Sequence, residues 1–126
     1  MGPVALDTSF LIGFLDPADA HHRRAVKELR KSENAPLSVV ASAYAETMVR
    51  PLADGYGEEI DSFLDSFGVE IVDLDRALAR RIAALRSEHP SLPLPDAAVV
   101  AAACQREAEL LTFDERLRRL WLSAQS

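Results

Sequence analysis

Four acidic residues stand where an α/β fold would deliver side chains to a common edge: Asp7, Glu46, Asp96 and Asp114. Asp7 closes the apolar run Val4-Ala5-Leu6, Asp96 follows Leu94-Pro95 and opens an alanine-rich run, and Asp114 follows Leu110-Leu111-Thr112-Phe113. Glu46 lies in the small, apolar stretch from Ser42 to Val49. The carboxyl ends of parallel strands converge, so acids at those ends are expected to meet. Carboxylates that meet repel one another unless a cation sits among them, and all-oxygen sites suit hard divalent ions. Short hydroxyls keep them company, because Thr8 and Ser9 follow Asp7 and Thr112 precedes Asp114 by two. Such hydroxyls can orient a carboxylate or hold metal-bound water.

Each acid also has a structural explanation. Asp7, Asp96 and Asp114 each stand where a helix begins, and Asp at an N-cap or in a first turn stabilises the helix by about 1 kcal/mol. Glu46 has Arg50 one turn later, an ordinary i, i+4 pair contributing roughly 0.2–0.5 kcal/mol. Caps and pairs do not account for the hydroxyls. No other catalytic apparatus competes: His21, His22 and His89 lie in polar contexts with no matched nucleophile, and there is no phosphate-binding glycine loop. A phospho-acceptor receiver domain, also small and acidic, needs a lysine after a late strand, and the two lysines are Lys27 and Lys31.

The chain has 126 residues, 48% of them hydrophobic, enough for one core and one domain spanning 1–126. A net charge of −6 argues against a non-specific nucleic-acid binder, whose affinity rests on phosphate neutralisation. The basic residues are nevertheless clustered, in His21 to Lys31, in Arg76 to Arg86 and in Arg116 to Arg119. Solvated helix faces explain these clusters unless they border the acids. The longest apolar run, Ala97 to Cys104, is far short of the roughly 20 residues that span a bilayer, and no basic region opens a secretory signal. A cytoplasmic location without membrane contact is expected. The single cysteine, Cys104, reads as a buried small hydrophobe.

Short apolar runs alternating with helical patterns predict an α/β fold with a mostly parallel sheet of four to five strands flanked by helices. Strands are expected at Val4–Asp7, Ala35–Val39, Val69–Val72 and Leu110–Phe113, with helices over Ser9–Leu15, Ala20–Lys31, Ala41–Arg50, Arg76–Arg86 and Arg116–Leu122. Pro51 should end or kink the third of these. Ile60, Phe63, Leu64 and Phe67 fall at i, i+3, i+4 and i+7, predicting a helix that buries one stripe and is capped by Gly68. The run after Asp96 is apolar nearly all round and should be central. Phe10, Leu11, Ile12, Phe14 and Leu15 crowd the first helix with more apolar surface than one buried stripe absorbs, so part of it should face a partner.

Taken together, Val4-Ala5-Leu6-Asp7-Thr8-Ser9, the mid-chain Glu46, Leu94-Pro95-Asp96-Ala97 and the late Leu111-Thr112-Phe113-Asp114 resemble a PIN domain. In size and order they are most similar to the VapC-type toxins of toxin–antitoxin pairs. The resemblance covers nearly the whole chain. It implies a parallel sheet between helices, a Mg2+ or Mn2+ ion in a pocket formed by Asp7, Glu46, Asp96 and Asp114 with Thr8 or Ser9 and Thr112 in support, and endoribonuclease activity on RNA. It further implies a homodimer and a cognate antitoxin that places a basic side chain in the pocket. A non-catalytic binding module of the same fold and a DNA-cleaving relative are the alternatives.

Overall fold

The computed structural model describes residues 2–125. Strand β1 (Val4–Leu6) is followed by helices α1 (Thr8–Leu15) and α2 (His22–Lys31), then β2 (Leu37–Val40), α3 (Ala41–Ala53), α4 (Gly57–Ser66), β3 (Glu70–Val72), α5 (Arg76–Glu88), α6 (Leu94–Gln105), β4 (Glu109–Leu111) and α7 (Glu115–Ala124). The four strands form one sheet in the order β3-β2-β1-β4, and every pairing is parallel. Parallel pairs need crossovers, and here each is helical.

That strand order fixes where a site can form. The chain leaves β1 toward β2 and β3 on one side and returns to β4 on the other, so the order reverses between β1 and β4. In open α/β sheets the crevice at such a reversal, beyond the carboxyl ends of the strands, is where ligands bind. Leu6 stands opposite Leu111 in the β1–β4 register, and the Asp7 N–H donates to the Leu111 carbonyl at 3.3 Å. The residues that follow, Asp7 and Thr112, are thereby set side by side at the reversal.

The core packs around this pair of strands. β1 and β2 are buried throughout, as expected of strands covered on both faces. Helix α6 buries every residue from Ala97 to Ala103, the alanines letting it approach the sheet closely. Its expected start at Asp96 moves two residues earlier, because Pro95 fits the first turn, where its missing N–H would have no partner. Asp96 therefore lies within the first turn. Pro51 does not end α3, which runs on to Ala53. A proline in the last turn removes one helical bond, and Pro51 is buried with its carbonyl accepting from Tyr56 N–H at 2.8 Å. Strand β4 stops at Leu111, since Thr112 and Phe113 turn into hydrogen bonds with side chains of α1 and its cap.

Helix α4 departs most from expectation. Of its stripe only Leu64 is buried; Phe63 and Phe67 remain 40% and 45% exposed. They pack instead against Phe14 of α1, with ring centroids 5.5 Å from it in each case, and against each other at 5.0 Å. These rings, with Val26, Leu29 and Leu37, line an apolar groove of about 340 Å³ between α2 and α4. In α1 itself Phe10 and Leu11 are core, Ile12 faces outward and Phe14 faces the groove.

Candidate metal centre at the β1 and β4 strand ends

Asp7 leaves β1 in an extended conformation and caps α1, its Oδ1 accepting from Phe10 N–H at 2.8 Å. The carboxylate is buried, at 4% exposure, and two further hydrogen bonds hold it. Ser9 Oγ donates to Oδ1 at 2.9 Å and Thr112 Oγ1 donates to Oδ2 at 2.5 Å. Both hydroxyls also accept, Ser9 from Phe113 N–H at 3.2 Å and Thr112 from Asp114 N–H at 3.0 Å. A hydroxyl has one proton, and each of these spends it on Asp7, so the 3.5 Å contact between Ser9 and Thr112 adds no third bond. The pair is a polar clamp joining the end of β1 to the end of β4. Thr8 has no such contact among the described residues. A carboxylate offers about four lone pairs, and three are used, so Asp7 keeps one free.

The other acids are placed unequally. Asp114 caps α7, accepting from Arg116 and Leu117 N–H at 3.0 and 3.2 Å, and is exposed. Asp96 is half-buried and shares with Asp114 a cleft of about 210 Å³, lined also by His89, Leu92 and Arg116. Glu46 is exposed on α3 with no hydrogen bond or ion pair among the described residues, and Arg50 pairs with Asp54 instead. Among those residues no three acids, histidines or cysteines come close enough to share one ion. The structure thus links Asp7, Asp114 and Asp96 in sequence and leaves Glu46 apart. Arg116 belongs to a basic cluster that the sequence reads as a solvated face unless it borders the acids, and it does border them; nothing in the spacing of His89 marks it apart from a solvated loop position.

Electrostatics join the three aspartates. Burial pushes the Asp7 carboxyl above the ordinary carboxylate range, against the opposite pull of Thr112, Phe10 N–H and Ser9, and the charge of Asp114 adds to the rise. Asp96 is raised by burial and again by Asp114, with Arg116 pulling it down. Asp114 thus opposes ionisation of both neighbours, which a cation beside it would relieve.

The sequence matches the PIN-domain family over residues 4–121. The chain belongs to that family. Solved structures of the same fold include a toxin–antitoxin complex from Klebsiella pneumoniae, at TM-score 0.75 and 25% identity over 88% of this chain and 86% of that one. FitAcB from Neisseria gonorrhoeae superposes at TM-score 0.74 and 19% identity, covering 94% and 92% of the two chains. VapC20 from Mycobacterium tuberculosis, a sarcin–ricin loop cleaving toxin, does so at 0.73 and 18%, covering 92% and 93%. No curated protein matches. The PIN fold accounts for the all-parallel sheet and the strand-end placement of Asp7 and Asp114. No helix among the described residues of this PIN domain is long and apolar enough to cross a membrane.

The donor set fits a divalent ion of the Mg2+ or Mn2+ kind. It is all oxygen, it is anionic, and Asp7 keeps a free lone pair while its other sites are fixed. Mg2+ retains several waters and takes one or two carboxylates, which suits acids linked in pairs better than a closed cage would.

Proposed function

We propose that this PIN domain is a divalent-metal-dependent endoribonuclease, the toxin of a toxin–antitoxin pair, with Asp7 and Asp96 as principal ligands and Asp114 and Glu46 holding water or a second ion. The observation that carries the reading is the buried, hydroxyl-oriented Asp7 at the sheet's reversal point, tied electrostatically through Asp114 to Asp96. A carboxylate-bound Mg2+ supplies a nucleophilic water near neutral pH and neutralises charge on the phosphate. This chain's residues do the rest. Ser9 and Thr112 hold Asp7 in one orientation, and Arg116, beside Asp96 and Asp114, offers a cation to a phosphate entering the cleft.

RNA as substrate is supported by VapC20, named for cleaving the sarcin–ricin loop, and the toxin role by the toxin–antitoxin complex at 25% identity. The apolar groove bounded by Phe14, Phe63 and Phe67 is where we place the antitoxin, since a helix laid on such a groove buries exposed aromatics. A homodimer belongs to the same reading. The isolation of Glu46 favours a second reading, a metal-free binding module of the PIN fold. Incubating the purified protein with total RNA and with single-stranded DNA, with Mg2+ and with chelator, separates them. Mg2+-dependent cutting of RNA is expected, and no cutting under any condition leaves the binding module.

A further inference from the structure

Beyond the acids, one exposed ring is stacked against the core. The turn between α1 and α2 is fixed by its own acids: Asp16 accepts from Ala18 N–H at 2.9 Å and Asp19 from His21 N–H at 2.8 Å. The two histidines that follow are treated differently. His22 Nδ1 lies 3.0 Å from the Gly13 carbonyl and faces the apolar groove, whereas His21 lies flat on Phe113 with ring centroids 4.4 Å apart and planes 11° from parallel. Phe113 is itself stacked at 5.3 Å on Phe10, which is buried. Gly13 keeps the space open, as a Cβ there would lie 3.2 Å from the Phe113 ring and 3.4 Å from His21 Cβ. Arg24 places its guanidinium 5.2 Å from the Phe113 centroid.

This column starts in the site itself. Phe113 stands between Thr112 and Asp114, and its N–H is held by Ser9. Its end is His21, an exposed residue with no second aromatic ring upon it among the described residues. Sealing a helix corner needs only an aliphatic or phenyl group; a flat polar ring that is exposed and backed by two others also offers a π face to a ligand. RNA presented for cleavage has such a ligand when its bases are unstacked.

We propose that the free face of His21 is a stacking platform for an unpaired base of an RNA strand, next to the phosphodiester held at the aspartates. The proposal rests on the ribonuclease reading. It makes His21 a specificity-determining residue that prefers single-stranded or looped RNA over continuous duplex, with base identity left open because every base has a π face.

The test uses a short single-stranded RNA carrying one 2-aminopurine, moved position by position, and the same RNA lacking that base, with divalent ions chelated during binding and KM read after Mg2+ is restored. Wild type and His21→Phe should quench the fluorophore at one position. His21→Leu, which still fills the corner, should not quench it and should bind on the order of 5–10-fold more weakly. Deleting the base should weaken wild type by a similar factor and leave His21→Leu unchanged. Equal quenching by His21→Leu, or an equal cost of base deletion in both proteins, overturns the platform and leaves the nuclease standing. A wild type that neither binds nor, with Mg2+, cuts any of these RNAs overturns both.

Discussion

The strand-end site and the aromatic groove occupy different flanks of the same small domain and are built from opposite materials. Around Asp7 every group is directed: one buried carboxylate, two hydroxyls whose protons are committed, and backbone N–H groups satisfying those hydroxyls in return. The groove's aromatic wall has no such direction. Phe14, Phe63 and Phe67 touch through ring faces and edges and stay partly in water. Hydrogen-bonded, desolvated geometry fixes the position of a reacting atom, which chemistry requires, whereas exposed aromatic surface gains free energy from any complementary apolar partner. A substitution at the site should therefore change the reaction and leave partner binding alone, and one in the groove should do the reverse.

The largest effect is expected at Asp96. Its side chain makes no hydrogen bond among the described residues, so Asp96→Asn removes a charge without breaking a contact. Mg2+-dependent cleavage should fall on the order of 100-fold or more. Metal-free thermal stability should be unchanged or higher, and added Mg2+ should no longer raise the midpoint. Asp7→Asn should lose cleavage alike; its amide oxygen can still cap α1, but its amide nitrogen cannot accept from the Thr112 hydroxyl, so the gain in metal-free stability is confined to Asp96→Asn. Full activity in both variants would dissolve the distinction between the flanks.

Next come the groove aromatics. On the proposed reading, Phe63→Ala and Phe67→Ala should each weaken binding of the proposed antitoxin by about 10-fold or more, as anchors do when truncated, while cleavage by the protein alone stays within about two-fold of wild type. Calorimetric titration of each variant with the purified partner checks this. A groove that serves only packing would instead show lowered stability with unchanged affinity.

Thr112→Val sharpens the same contrast from the other side. The shape is retained, but Asp7 Oδ2 loses its donor and Asp114 N–H its acceptor, at a cost of about 1.5–3 kcal/mol for a hydrogen bond to a charged group. Metal affinity should drop roughly 10-fold through the misaligned carboxylate, and antitoxin affinity for the groove should hold. Metal-dependent melting curves separate the two contributions.

The same contrast decides what could be read without a structure. Strand ends were legible because apolar runs and the acids after them mark where each strand stops, and Thr112 and Ser9 announce themselves by adjacency to Asp114 and Asp7; the strand order that sets β1 beside β4 was not, because pairing partners lie far apart in sequence. Helical period was misleading in α4, where Ile60, Phe63, Leu64 and Phe67 predict a buried stripe. Periodicity reports which residues share a face, not what covers it, and here α1 meets Phe63 and Phe67 through Phe14 and leaves both partly exposed. Pro51 misled for a related reason, since its cost depends on how many turns remain to be broken. The His21 and Phe113 stack was hidden entirely: the partners lie 92 positions apart in sequence, and Gly13, unremarkable in the sequence, makes room for them.

The smallest expected effect is a pH dependence of the metal-free protein. Asp7 and Asp96 have folded-state carboxyls raised above the 3.8 of an unperturbed Asp, chiefly by burial. A raised acid binds its proton more tightly in the folded than in the unfolded chain, so the folded state holds more protons over the interval between the two values, and stability falls as pH rises through it. Below 3.8 both states are protonated and the effect vanishes; above the raised value the loss is complete. Other acids titrate over the same interval, so the quantity to follow is the difference in unfolding free energy between wild type and Asp96→Asn. That difference should move against wild type as pH climbs from about 3.8, and the difference between wild type and Asp7→Asn should move the same way. Mutating Phe63 or Phe67 should leave the wild-type pH slope untouched, since neither Asp7 nor Asp96 lines the groove. A slope that persists in Asp96→Asn and Asp7→Asn alike would place the pH-sensitive charges away from the strand ends.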